Sequence, residues 1–463
     1  MRLMPAARLL AVALLLPLLA RPAAAVSYQG ERDLGQRFDL AARQSVPLIT
    51  DPEVIAYVTR IGQSVARTLT PSFFEYQFAV VRDPRINAFA VPGGWVYVHA
   101  GLLAAVRSDD ELAGVLGHEI GHVHNRHVVR QQEQTAALNY TAMLGMLLGV
   151  IQPAAGALTT AASQAAALQY QRDFEQEADY FGARHVQEAG YDPRAMLDFF
   201  QQLADQQRLS PTLAPAYLQT HPLSDERLNR LEAVLKTSPG KRRQRPPASF
   251  DLQRVQALVR ARIEPAADVL AAYRRALDQH PHDPTAQYLY GVVCLESGEL
   301  DEAQRSLSAA RAGGLAAADR ELGRLALRQR DPTRARELLG AYLQRMPDDA
   351  GALLELGKAD EALGDSAAAM DAYRRALAIA PWLATAQHGY GMLAGRAGRE
   401  GEGFYHLATA ARLSGDYPTA LNQYRRAQPL LPTADPRSED AQRWTETLST
   451  YLKVEPPATP GGE

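Results

Sequence analysis

The chain has 463 residues, 46% hydrophobic and 22% charged, with a formal net charge of −3. That length is too great for one compact core and points to about three domain-sized units of ordinary soluble composition. A balance this close to neutral excludes nucleic acid as the main partner, and a single cysteine, Cys294, excludes an intramolecular disulfide.

The N-terminus bears on the compartment. Met1 to Arg8 holds two arginines and no acid, Leu9 to Ala20 is an apolar run, and Ala23 to Ala25 is a small-x-small site. This reads as a signal peptide, residues 1–25, cleaved after about Ala25. The apolar run is short of the roughly 20 residues a membrane span needs. Removing Arg2, Arg8 and Arg21 takes the net charge from −3 to −6.

Residues 26–235 mix helical and strand patterns. Asp51-Pro52-Glu53 reads as helix cap, first-turn proline and first-turn acid. Val54, Ile55, Val58, Ile61 and Val65 then form one apolar helix face. Tyr76 to Val81, Ala88 to Val91 and Trp95 to Val98 read as strands, with Pro92-Gly93-Gly94 as a turn. The fold class expected is α+β, mostly helical with a small antiparallel sheet.

Ser108-Asp109-Asp110-Glu111 is a capping box that opens a helix. Inside it lies His118-Glu119-Ile120-Gly121-His122. Residues four apart on a helix face the same way, so both imidazoles can give one nitrogen to one metal. Glu119 sits beside them, placed to reach a metal-bound water rather than the metal, as in the HExxH zinc arrangement. The bare pentad can also be an ordinary amphipathic turn. What separates the two is a third protein ligand, which a catalytic zinc needs.

A metzincin would carry Gly at 125 and His at 128; this chain has Asn125 and Val128. Glu175-Gln176-Glu177-Ala178-Asp179 offers the other route. Glu175 and Asp179 share a helix face, so Glu175 can ligate while Asp179 holds the far nitrogen of a ligand histidine. Glu177 should point away from Glu175. His124 and His127 are off the ligand face and read as structural, and His99 and His406 receive no role. Between the two metal-binding helices, Gln134 to Gln171 contains no Asp, Glu, Lys or Arg. Lid, membrane-facing patch and plain core helices all stay open for it.

Residues 236–262 form a Pro-rich basic linker and a connecting helix. From 263 to 433 the chain repeats: Gly291, Gly323, Gly357 and Gly391 recur at a spacing near 34, and Ala303, Ala335 and Ala369 follow the first three. Such a period is that of a helix-turn-helix solenoid of the tetratricopeptide type, with a groove for protein partners. A fourth unit has Gly403 where alanine is expected, and 434–463 reads as a tail. The linker predicts that the two regions fold separately.

HExxH with ExxxD, the stretch Asn87 to Gly94, and Thr220-His221-Pro222 with Arg227 downstream resemble the gluzincin zinc peptidases related to the CAAX prenyl protease and HtpX. With repeats behind a signal peptide, the chain is similar to the BepA-like β-barrel assembly-enhancing proteases of the periplasm. That resemblance implies one Zn²⁺ per chain and an endopeptidase acting on unfolded or misassembled outer-membrane proteins. It also implies contact with the β-barrel assembly machinery through the repeat groove. His118, His122 and Glu175 would be the ligands and Glu119 and Asp179 the catalytic pair. His221 would be a regulatory fourth ligand, with Arg227 supporting its loop. On chemistry alone, His221 is a ligand, a transition-state donor or a capping residue. An extended substrate would add along the strand at Asn87, Ala88 and Phe89. The alternative is a chaperone-like adaptor whose zinc site is mostly shut.

Overall fold

The computed structural model describes residues 26–135, 172–210, 215–237 and 249–454. The expected signal peptide, nearly all of the charge-free stretch, most of the Pro-rich linker and residues 455–463 lie outside the described residues. Helix α1 (Tyr28–Ser45) is followed by α2 (Pro52–Ala66), where the Asp51 carboxylate accepts the Glu53 and Val54 amides at 3.0 and 3.3 Å. Strands β1 (Gln77–Val81), β2 (Ala88–Val91) and β3 (Trp95–His99) come next.

The sheet is mixed rather than antiparallel. Its order is β1-β3-β2, with β2 antiparallel and β1 parallel to β3. Residues 82–87 carry β2 to the far side, and the tight turn then returns β3 into the space between. Gly93 and Gly94 have φ of 86° and 104°, which favours glycine there. A Cβ on Gly93 would sit 2.4 Å from the Glu31 carbonyl.

After α3 (Ala100–Ala105) comes α4 (Asp109–His124), which carries the HExxH pentad and is capped by Ser108 Oγ accepting the Glu111 amide at 3.2 Å. Glu111 reaches back to the Arg107 amide at 2.7 Å, one residue upstream of the usual capping-box partner. Helix α5 (His127–Thr135) follows, then α6 (Arg172–Glu188), α7 (Arg194–Leu209), α8 (Tyr217–Thr220), α9 (Asp225–Thr237) and α10 (Phe250–Ile263). Helices α4 and α6 cross closely because small residues line their contact. A Cβ on Gly117 would come within 2.6 Å of Val186, and one on Gly182 within 2.9 Å of the His118 amide nitrogen. This approach sets Glu175 opposite the two histidines.

The repeats are antiparallel pairs: α11 (Ala266–Gln279), α12 (Pro284–Ser297), α13 (Leu300–Ala312), α14 (Ala317–Arg328), α15 (Pro332–Arg345), α16 (Ala350–Ala362), α17 (Ser366–Ile379), α18 (Ala384–Arg396), α19 (Glu400–Leu413) and α20 (Tyr417–Ala427). The periodic glycines are where paired helices touch. A Cβ on Gly291, Gly323 or Gly357 would lie 2.5 to 2.7 Å from Leu307, Leu339 or Tyr373. Gly403 has its own reason: it faces Gly391, backbone to backbone, and its Cβ would meet Gly395 N at 2.9 Å. Residues 436–454, part of the expected tail, instead form helix α21 (Pro436–Val454), with Ala441 and Leu448 buried.

The core does not divide at the linker. One apolar cluster runs from Ile49 through α10 to Leu338, so the packing does not support two regions folding separately. Glu53 on α2 pairs with Arg254 and with Arg320 of α14, the latter at 2.6 Å. Asp51 accepts from Arg262 at 2.8 Å. At the far end, Leu40 of α1 packs among Tyr417, Tyr424 and Leu448, and the Tyr417 hydroxyl donates to the Leu40 carbonyl at 2.5 Å. Part of the repeat surface therefore already holds the N-terminal region. Among the described residues no helix is long and apolar enough to cross a membrane.

Candidate metal centre

His118 and His122 stand one turn apart on α4, Glu175 projects from α6, and His221 follows α8. Their donor atoms lie within 4.8 Å of one another and all four residues are buried. His118 Nε2 is 2.9 Å from His122 Nε2 and 3.3 Å from His221 Nδ1. The Glu175 carboxylate is 3.5 Å from His118 Nε2, 3.4 Å from His122 Nε2 and 3.1 Å from His221 Nδ1.

A zinc ion fits this set. Tetrahedral ligands about 2.0–2.1 Å from a zinc ion stand roughly 3.3 Å from one another, close to the spacings above. The converging atoms are lone-pair donors shielded from water, an arrangement that needs a proton or a cation to be stable. For the chain alone, burial pulls His118 down, but hydrogen bonds to Asp179 and Glu175 outweigh it and hold the imidazole up to about 9. Burial and then the neighbouring His118 push His122 well below the usual histidine value, leaving its lone pair available. Burial would raise Glu175, but Arg227 and His221 keep it well below the ordinary carboxylate range.

Behind the donors sits a second layer. Asp179 Oδ1 is 2.9 Å from His118 Nδ1. Arg227 holds Asp179 through two bonds, at 2.6 and 2.8 Å, and reaches Glu175 Oε2 at 2.5 Å and the Pro222 carbonyl at 3.1 Å. One guanidinium thus ties the ExxxD pair to the His221 loop. Arg227 also lies over the Phe200 ring, 5.2 Å from its centre.

Glu119 is fully buried. Its Oε1 accepts from the Tyr217 hydroxyl at 3.2 Å and stands 3.6 Å from His221 Nε2, while Oε2 has no hydrogen bond among the described residues. Tyr217 stacks on His221 with ring centres 4.5 Å apart. No motif in the sequence singles out Tyr217; its place four residues before His221, at the start of a short helix, is the only signal. Glu177 does point away from Glu175, toward Arg130 and His127.

β2 is an edge strand that pairs with β3 alone among the described residues. Asn87, Ala88 and Phe89 are buried, backbone as well as side chain, so this edge is covered in the structure. A small cavity lined by Ala90, Val91, His122, Val123 and Arg126 links the strand's end to α4. His99 lies 3.6 Å from Asp83 and His406 2.5 Å from Gln387, both apart from the centre. Cys294 is buried, as expected of a small hydrophobe.

Both regions of the chain resemble known proteins. Residues 52–235 match the model of peptidase family M48, and 266–314 and 320–381 match tetratricopeptide repeat models. A beta-barrel assembly-enhancing protease of Yersinia pestis is 37% identical over 214 residues, 44% of each chain. Its namesake in Escherichia coli K12 is 34% identical over 206 residues, 43% of this chain and 42% of that one. The mitochondrial metalloendopeptidase OMA1 of Arabidopsis thaliana is 34% identical over 152 residues, 33% of this chain and 30% of the relative. The chain spans 42 to 58% of the length of the bacterial relatives it matches. The chain thus carries a domain of peptidase family M48 followed by tetratricopeptide repeats.

Proposed function

We propose that the protein is a zinc-dependent endopeptidase of the periplasm that acts in outer-membrane protein assembly and quality control. The observation that carries this reading is the buried set His118, His122 and Glu175 with Glu119 beside it. The chemistry a zinc ion supplies when bound is polarisation of the scissile carbonyl and acidification of a water. Glu119, held by Tyr217, takes the proton of the attacking water and returns it to the leaving amine. Asp179 fixes the tautomer of His118, and Arg227 fixes Asp179. An extended substrate would add along the β2 edge at Asn87, Ala88 and Phe89 once that covered edge opens.

The names of the bacterial relatives support misassembled outer-membrane proteins as substrates and the β-barrel assembly machinery as partner. The repeats support protein binding on whatever surface α1, α2 and α10 leave uncovered. Peripheral membrane contact stays part of the proposal. The limits 26–235 for the peptidase and 263–433 for the repeats are proposed on the M48 match and the glycine period. Glu119→Gln tests the reading: it should abolish cleavage of a loosely folded protein such as casein while retaining zinc. Full cleavage by that variant would contradict it.

His221 favours a second reading. With Nδ1 among the donors, it fills the fourth position, and Nε2 faces the base. A site so closed suits an adaptor that cleaves rarely. If His221 is a stopper, His221→Ala should cleave faster than wild type with its zinc intact. If it donates to the transition state, the change should slow cleavage by about 10²-fold or more. A slower variant that keeps zinc rejects the stopper.

A further inference from the structure

On a continuous helix His127 would lie off the ligand face, five residues beyond His122, and would have a structural role only. The helix is not continuous. Arg126 adopts φ of 57°, and this left-handed residue turns the chain so that α5 starts with His127 beneath His122. Arg126 is held there by Glu31 and the Val26 carbonyl, and it covers the Tyr28 ring at 4.7 Å.

His127 is completely buried. Its Nδ1 stands 2.8 Å from His122 Nδ1. Its ring stacks on Phe174 with centres 4.6 Å apart and planes 9° from parallel. Its Nε2 is 3.3 Å from Glu177 Oε2, and Arg130 donates to the same carboxylate at 2.9 Å while lying over Phe174.

The protons along this chain are determined by its end. His122 turns Nε2 toward the donor cluster, so a proton must sit on Nδ1. The atom facing that proton is His127 Nδ1, which must then be the acceptor. His127 therefore carries its own proton on Nε2, the atom that faces Glu177.

We propose that His127 is the positioning residue of His122, relaying the carboxylate of Glu177 to the second ligand imidazole as Asp179 serves the first directly. Both carboxylates come from α6. They lie two residues apart, which puts them on different sides of the helix: Asp179 stands 2.9 Å from His118 Nδ1, and Glu177 needs an imidazole to bridge the distance to His122. Outer partners of this kind orient the ring and raise its basicity. The consequence is a metal affinity that depends on a residue which is not a ligand. The inference rests on the metal reading above.

The test is zinc affinity of the full mature protein by chelator competition, with the absorption spectrum of the cobalt-substituted protein as a second readout. His127→Phe keeps the ring and its stack on Phe174 but offers no acceptor. His127→Asn places an oxygen near the Nδ1 position without the stack. The Phe variant should bind zinc about 10 to 100-fold more weakly, the usual cost of losing such a partner, and shift the cobalt spectrum. The Asn variant should recover most of the affinity although it packs worse. Wild-type affinity in His127→Phe, or no recovery in a folded His127→Asn, overturns the proposal. Should neither variant fold, the half-exposed Glu177 carries the test: Glu177→Ala should weaken zinc binding, and unchanged affinity overturns the relay. Failure of the wild-type protein to bind zinc would instead remove the metal reading itself.

Discussion

Arg227 concentrates more of the site's electrostatics than any ligand does. It is buried and bonded to Asp179, Glu175 and the Pro222 carbonyl. Removing it would strip the buried Asp179 of its bidentate partner and Glu175 of one of its counter-charges, at a cost of about 3–5 kcal/mol. Lysine does not restore the arrangement, because a point charge cannot match the two oxygens of Asp179 together. Arg227→Lys should therefore lower both the thermal midpoint and zinc affinity, measured by calorimetry and chelator competition. A variant indistinguishable from wild type in both would contradict the role. At this scale His118, His122, Glu175 and Asp179 are legible in the amino-acid sequence, since HExxH and ExxxD each depend only on the local helix period. His127 and Tyr217 are not. The first needs the left-handed Arg126, and the second needs a loop closed over Glu119 from 98 residues away.

Helix α6 meets α4 through Gly182, where a methyl group would lie 2.9 Å from the His118 amide. Gly182→Ala should force the helices apart, with a destabilisation of about 1–3 kcal/mol. Because Glu175 and Asp179 ride on α6, zinc affinity should fall with it. Stability lost with affinity unchanged would mean that the crossing does not set the ligand geometry. The helices themselves are readable from their punctuation: Asp51 and Ser108 as caps, and glycine at intervals near 34 in the repeats. The strand order is not. Alternation marks each strand, but nothing local says that β3 inserts between β1 and β2, and the parallel β1–β3 pair has no hairpin signature.

The whole molecule is held together by contacts that no local pattern announces, such as Glu53 with Arg320, 267 residues apart. Burial would raise Glu53, but Arg254 and Arg320 outweigh it and hold the carboxylate down to about 2 from an ordinary 4.5. A group depressed on folding stabilises above its unfolded value and loses that contribution as pH falls through its folded one. This part of the stability should be complete above pH 4.5 and vanish toward pH 2. Glu53→Gln should lower stability at neutral pH and flatten the acid dependence in that window. An acid titration of unfolding free energy that is the same for both proteins would contradict it. Docking of this kind also predicts that fragments 26–237 and 249–454 co-purify when expressed together. Their failure to associate would restore the separate domains that the linker suggests.

His118, His122 and Glu175 are proposed to hold one zinc ion, with His221 as the candidate fourth ligand. Zinc K-edge X-ray absorption of the purified protein tests it most directly. The account predicts one zinc per chain with three imidazole nitrogens and one carboxylate oxygen at about 2.0–2.1 Å, falling to two imidazoles in His221→Ala. Protein purified without chelator that holds no zinc, or a zinc environment unchanged in Glu175→Ala, would contradict it.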